Sequence, residues 1–214
     1  MRRRCKMDYP IAEIFHSLQG EGAYVGVPMC FVRLAGCPVG GATGACTSFD
    51  RQSFQCDTDY SKRYVLDEQK LVTQVREQHL CITGGEPLIH NLQPLIDEAT
   101  RRFKYTHLET SDTIPLPEWM TTSEVYVACS PKRGFKPSNL RYIHELRFLV
   151  GPSFDEHSVA KMLQHTDCHC RVYISPINDG PIINNDNLKR CLALLQAHPE
   201  WVLNVQLHKY LNLP

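Results

Sequence analysis

Three cysteines carry the most specific chemistry in the chain. Cys37, Cys46 and Cys56 are separated by eight and nine residues in a stretch rich in Gly, Thr and Ser. Three thiolates can hold three irons of a four-iron cluster and leave the fourth iron open to an outside ligand. With a nearby histidine the same thiols suit a structural zinc site, and as unrelated surface thiols they need no metal at all. Spacing alone leaves these readings open. Other polar groups gather in short runs: Gly36-Cys37, Thr83-Gly84-Gly85-Glu86-Pro87, Glu109-Thr110-Ser111, Ser130-Pro131-Lys132, Ser175-Pro176-Ile177-Asn178-Asp179 and His208-Lys209. Taken singly, each is ordinary turn chemistry.

What unites these runs is that each follows an apolar segment. Segments 30–34, 80–83, 105–109, 125–129, 145–150, 171–174 and 201–206 read as strands that end in loop residues. Between them, Leu71, Val72 and Val75 fall at helical spacing behind a capping Asp67, as do Leu92, Leu95, Ile96, Ala99 and Phe103. Further helices are expected near 155–163 and 187–197. Strands alternating with helices predict an α/β fold with a parallel sheet, because parallel neighbours need crossover connections. Such sheets place ligands at the carboxyl ends of their strands, whether open or closed into a barrel. The polar runs would then line one mouth.

The chain has 214 residues, 43% hydrophobic and 21% charged, which suits one soluble domain with a sizeable core. Lys plus Arg and Asp plus Glu both number 23, so no net charge favours nucleic acid or a lipid surface, and a small-molecule partner is expected. No apolar run reaches bilayer length. Residues 1–8 read as a disordered basic tail without the apolar core of a secretory signal, and residues 9–214 as a single domain. A cytoplasmic location follows as the expectation, and with it thiols, metal ligands or core fillers rather than disulfides.

The sequence resembles the 7-carboxy-7-deazaguanine synthases, a short branch of the radical S-adenosylmethionine enzymes, over nearly its whole length. The resemblance rests on Tyr9-Pro10-Ile11, Glu13-Ile14-Phe15, Ser17-Leu18-Gln19-Gly20-Glu21-Gly22, Phe31-Val32-Arg33-Leu34-Ala35-Gly36-Cys37 and Cys56-Asp57-Thr58. Thr83-Gly84-Gly85-Glu86-Pro87, Ser130-Pro131-Lys132 and the closing His208-Lys209-Tyr210-Leu211-Asn212-Leu213-Pro214 complete it. The Gly-Gly-Glu-Pro run marks only the superfamily; the opening and closing runs are more specific. One departure is plain. The superfamily usually carries Cys-x3-Cys-x2-Cys, whereas Ser53 stands three before Cys56 and Gly41 four after Cys37. Some members of the synthase family have an expanded loop, so the resemblance implies that Cys46 supplies the middle ligand from an insertion.

The resemblance further implies a partial, incomplete TIM-type barrel and a division of labour among residues. Cys37, Cys46 and Cys56 would hold a [4Fe-4S] cluster. Gly85 would contact the methionyl end of S-adenosylmethionine; Glu109, Ser111, Ser130, Pro131 and Lys132 its ribose and carboxylate; Ser175, Pro176, Asn178, Gln55 and Asp57 its adenine. Thr58 would offer a hydroxyl to Mg2+, an oxygen-seeking cation. Leu18, Gln19, Gly20, Glu21, Arg33, Thr83 and the terminal carboxylate of Pro214 would hold a pterin, with Arg33 forking its carboxylate. The implied reaction begins with reductive cleavage of S-adenosylmethionine and hydrogen abstraction at C6 of 6-carboxy-5,6,7,8-tetrahydropterin. It ends in 7-carboxy-7-deazaguanine and ammonia. An electron donor such as flavodoxin or ferredoxin and a homodimer are the implied partners. The alternatives are a glycyl-radical-type activating enzyme and a zinc-binding relative without the cluster.

Each residue also has a plainer reading. Gly84-Gly85 and Ser130-Pro131 serve as turns in many proteins, Glu109 can pair with a neighbouring base, Arg33 can be a strand-edge charge, and a chain end such as Pro214 usually frays. Cys30, Cys81, Cys129 and Cys191 fall in apolar elements and read as core packing. His165, Cys168, His169 and Cys170 form a tract without two well-spaced ligand pairs, so surface positions are expected.

Overall fold

The structure, a computed structural model, describes residues 6–40, 44–56, 58–122, 124–164, 170–178 and 180–214. All seven expected strands form: β2 (Pro28–Leu34), β6 (His79–Gly84), β7 (Tyr105–Thr110), β8 (Val125–Cys129), β9 (Glu145–Val150), β10 (Arg171–Pro176) and β11 (Val202–Leu203). Their neighbouring pairs run parallel, in the order β11-β10-β9-β8-β7-β6-β2. The last is much shorter than the expected 201–206, because the chain turns at Asn204 and coils into α5 (Leu207–Leu211).

Four strands go beyond the sequence reading. β1 (Asp8–Leu18) pairs antiparallel with β2 on one side and with β5 (Tyr64–Asp67) on the other, so the nine-stranded sheet is mixed and mostly parallel. An irregular register between Ile11 and Glu13 and the proline at position 10 break the period-two pattern that would have marked β1. Its first residue, Asp8, pairs with Asp67, and the Met7 N–H donates to Glu68 at 3.0 Å, just inside the expected tail. β3 (Ala45–Thr47) and β4 (Ser53–Gln55) form a separate hairpin within the expected loop.

Helices cover one face of the sheet. α1 (Glu68–Val72) starts where Asp67 caps the Lys70 N–H at 2.8 Å, and α2 (Gln93–Arg102), α3 (Glu156–Gln164) and α4 (Asn185–Ala197) match the expected segments. The crossovers from β7 to β8 and from β8 to β9 carry only 3-10 turns, Glu118–Thr122 and Pro137–Tyr142. Val32, Leu34, Leu80, Ile82, Leu108, Leu146, Phe148 and Val150 point to the helices and form the main core, where burying each large side chain contributes roughly 1.5–3 kcal/mol. Cys30, Cys81, Cys129 and Cys191 are buried thiols. Of the 165–170 tract, residues 165–169 lie outside the described residues; Cys170 packs half-buried against the core rather than at the surface and is disulfide-bonded, contrary to the expectation of thiols.

The sheet stays open and forms no closed barrel, yet it curls. The loop after β1 reaches the chain after β11, with the Leu207 N–H donating to the Gly20 carbonyl at 3.0 Å and the Gly22 N–H to Asn204 Oδ1 at 2.8 Å. Near-opposite flanks thereby meet over the second face of the sheet. Among the described residues no helix is long and apolar enough to cross a membrane.

Candidate active site

Two strand exits touch at the centre of the mouth. A side chain on Gly85 would overlap the Gly36 carbonyl and the Cys37 Cβ, so glycine is what lets the ends of β2 and β6 come together. The Glu86 N–H donates to the Gly36 carbonyl at 3.1 Å. Its buried carboxylate accepts from the Leu88 N–H at 3.0 Å, the Thr110 hydroxyl at 2.9 Å, the Ser111 N–H at 2.7 Å and the Ser111 hydroxyl. Glu86 therefore ties the exits of β2, β6 and β7 into one unit.

The three cysteines lie on the loop and hairpin that follow β2. Cys46 stands on β3, Cys56 directly follows β4 with its N–H on the Gly44 carbonyl at 2.8 Å, and the Cys37 sulfur accepts from the Gly40 N–H at 3.4 Å. Burial pushes the Cys46 thiol up; Lys132 draws it down, while Cys56 and Cys37 push it further up. The Tyr60 phenol is raised by burial and then by Cys37, Cys56 and Cys46. Cys46 and Tyr60 thus lie within electrostatic reach of the other cysteines.

The Ser130-Pro131-Lys132 turn clasps the hairpin that carries Cys46. The Ser130 N–H donates to Thr110 and the Lys132 N–H to Ser111, at 2.9 and 3.2 Å, while the Phe49 N–H reaches Pro131 and the Arg133 N–H reaches Thr47 at 3.3 and 3.0 Å. The Lys132 ammonium donates to the Ser130 carbonyl at 3.1 Å and lies over the Phe54 ring, 5.4 Å from its centroid. Gln55 ends β4, and Thr58 sits two residues past Cys56, its carbonyl 4.0 Å from that sulfur. Asp57 lies outside the described residues.

Beside the cysteines, polar side chains fill the curled face. Gln19, just past Leu18, donates to Glu109 at 3.1 Å and accepts from the Glu21 N–H at 3.2 Å. The Thr83 hydroxyl donates to the other Glu109 oxygen at 3.2 Å, and Arg147 joins both Glu109 and Glu21. Burial raises the Glu109 carboxyl, but the Arg147 guanidinium and the hydrogen bonds outweigh it and leave the group below its ordinary value. Glu109 thus sits with the expected pterin-holding residues as well as beside the S-adenosylmethionine loops. Arg33 stacks over Phe15, its Nε 3.4 Å from Glu13 and without a hydrogen bond.

On the far flank, Ser175 accepts from Asn204 Nδ2 at 2.8 Å, Pro176 ends β10 in the core, and the Asn178 amide donates to the Tyr210 hydroxyl at 3.2 Å. A side chain on Gly20 would overlap the His208 imidazole. Pro214 is exposed beyond a left-handed turn at Asn212, where the Leu213 N–H donates to His208 at 2.9 Å. Sequence reasoning passed over Arg147, Glu145, Asn204 and Tyr60; inward alternation along β9 is the one signal that could have flagged the first two.

A mostly parallel sheet whose strand exits carry cysteines and a Thr-Gly-Gly-Glu-Pro turn is the frame of a radical S-adenosylmethionine enzyme, the class to which the following relatives belong. No protein-family model matches the chain. It is 33% identical to the 7-carboxy-7-deazaguanine synthase of Escherichia coli K12, over 97% of this chain and 100% of that one. It is 30% identical to the synthase of Synechocystis, over 97% and 94%. The crystal structure of QueE from Escherichia coli superposes with a TM-score of 0.74 at 29% identity, covering 94% of this chain and 95% of that one. The chain belongs to the 7-carboxy-7-deazaguanine synthase family, which serves queuosine biosynthesis.

Proposed function

We propose that this protein converts 6-carboxy-5,6,7,8-tetrahydropterin to 7-carboxy-7-deazaguanine with loss of ammonia. The observation that carries the reading is the joining of two groups on one face: the Cys37, Cys46 and Cys56 thiols, and the Gln19, Glu21, Thr83, Glu109 and Arg147 network beside them. The donor set fits a [4Fe-4S] cluster: three cysteines on the loop and hairpin after β2 offer three thiolates, and the Lys132 cation lies over Phe54 on the same hairpin. With S-adenosylmethionine bound, such a cluster supplies the one-electron chemistry that starts hydrogen abstraction.

The chain's own residues bind, orient and exclude water. Gly85, Ser111, the Ser130 to Lys132 turn, Gln55, Asp57, Ser175, Pro176 and Asn178 are assigned to S-adenosylmethionine. Leu18, Gln19, Gly20, Glu21, Arg33, Thr83 and Pro214 are assigned to the pterin, and Glu109 lies between the two sets. Arg33, a planar fork suited to a carboxylate, is assigned to that of the substrate, with Glu13 beside its Nε at 3.4 Å. Thr58 is assigned to Mg2+, which prefers oxygen ligands. Contact between the flanks at Gly20 and Leu207 supports a partial barrel. A cytoplasmic homodimer reduced by flavodoxin or ferredoxin completes the reading.

Anaerobic reconstitution with iron and sulfide tests the class. A broad visible absorption that dithionite bleaches supports it. A colourless protein that holds zinc at the same thiols contradicts it and favours a zinc-binding relative.

A further inference from the structure

Arg147 is 8% exposed and meets three carboxylates. Its Nε donates to Glu145 at 2.7 Å, and Nη2 pairs with the same Glu145 oxygen. Its Nη1 donates to Glu21 at 3.1 Å and to Glu109 at 3.0 Å, and Nη2 reaches the Glu21 carbonyl at 3.5 Å. The fully buried Glu145 also accepts from the Ala23 N–H and the Tyr126 hydroxyl, each at 2.9 Å, so its role is to anchor the guanidinium. Glu21 and Glu109 remain 18% and 27% exposed, on the side that faces the mouth. One guanidinium among three carboxylates leaves this wall negative, which suits the N–H-rich edge of a ligand.

We propose that Arg147 is a positioning residue that fixes the Glu21 and Glu109 carboxylates against the bound substrate. The inference rests on the functional reading above. A planar fork with five donors spans three acids at once, and the single ammonium of lysine does not. On this reading Arg147 acts through the two acids it holds, Glu21 and Glu109.

Kinetics of R147K with the reconstituted enzyme test the proposal. The expected result is a rise of about tenfold in KM for the pterin, the effect of losing a charge-assisted hydrogen bond, with a smaller change in kcat. The acid limb of kcat/KM should also move to higher pH, because Glu109 loses the partner that holds its carboxyl down. Iron content should match wild type. The double variant E145Q/R147M, which removes the buried acid together with its partner, should behave likewise if R147K folds poorly. Wild-type KM and pH profile in a folded variant would overturn the proposal, as would loss of folding in both variants, the mark of a structural staple. Absence of turnover in wild type would instead sink the functional reading, and the role of Arg147 with it.

Discussion

Cys46 stands directly opposite Phe54 across the β3–β4 hairpin, and the Lys132 ammonium rests on that same Phe54 ring. The hairpin thus holds the Cys46 thiol on an element packed against the turn that follows β8. It is fastened there by backbone hydrogen bonds from Phe49 and Arg133 to and from the turn that follows β8.

Replacing Cys37, Cys46 or Cys56 by Ala should each abolish stable cluster assembly, because a cluster held by three thiolates does not survive on two. Cys30→Ala should assemble normally, since Cys30 is buried in the sheet. Iron and sulfide analysis of the four reconstituted variants is the check, and a full cluster in Cys46→Ala would remove the hairpin from the site.

The parallel strands were legible because strands buried on both faces become short apolar runs that stop at polar turns. β1 was not, because its bulge makes Ile11 and Ala12 both buried and erases the alternation. Motif residues such as Glu86 and Lys132 were legible as types. Arg147 was hidden: in the run Glu145 to Val150 it is one charge among apolar residues, and only the curl of the sheet brings it to Glu21, 126 positions earlier. Asn204 was hidden for the same reason, its work being done across 182 positions to Gly22.

Asn204 bridges the loop after β1 and the end of β10, accepting from the Gly22 N–H and donating to Ser175. Asn204→Ala should leave both partners unsatisfied in a buried place and cost about 1–3 kcal/mol. Affinity for pterin and for S-adenosylmethionine should fall together. Equilibrium titrations with each ligand measure this, and a change confined to one ligand would refute the bridge.

Asp112 is fully buried at φ 57°, with one oxygen bonded to Asn139 and the other without a partner. Burial raises its carboxyl to about 7. A raised acid contributes stability that is complete below its unfolded value near 4 and lost as pH rises through about 7. Asp112→Asn keeps a residue type that tolerates left-handed backbone. It should stabilise the protein at pH 8 by on the order of 2–3 kcal/mol and remove the decline between pH 4 and 7. Denaturant unfolding at both ends of that range decides it; an unchanged pH profile would contradict the assignment.

His107 shows the opposite sign. It is 3% exposed, hydrogen-bonded to His79 at 2.9 Å and packed edge-on against Tyr24, and burial lowers its imidazole to about 4. A depressed base contributes stability present above pH 6.5 and lost as pH falls through about 4, in total about 3 kcal/mol. His107→Phe should flatten stability across that window in urea unfolding. A slope equal to wild type would assign the acid loss to other groups.

The most direct measurement of the central claim is product analysis by mass spectrometry. The reconstituted protein is incubated anaerobically with 6-carboxy-5,6,7,8-tetrahydropterin, S-adenosylmethionine, Mg2+ and dithionite. The account predicts 7-carboxy-7-deazaguanine and ammonia in equal amounts, and neither product from Cys46→Ala. Intact pterin after incubation with protein that carries a full, reducible cluster would contradict it.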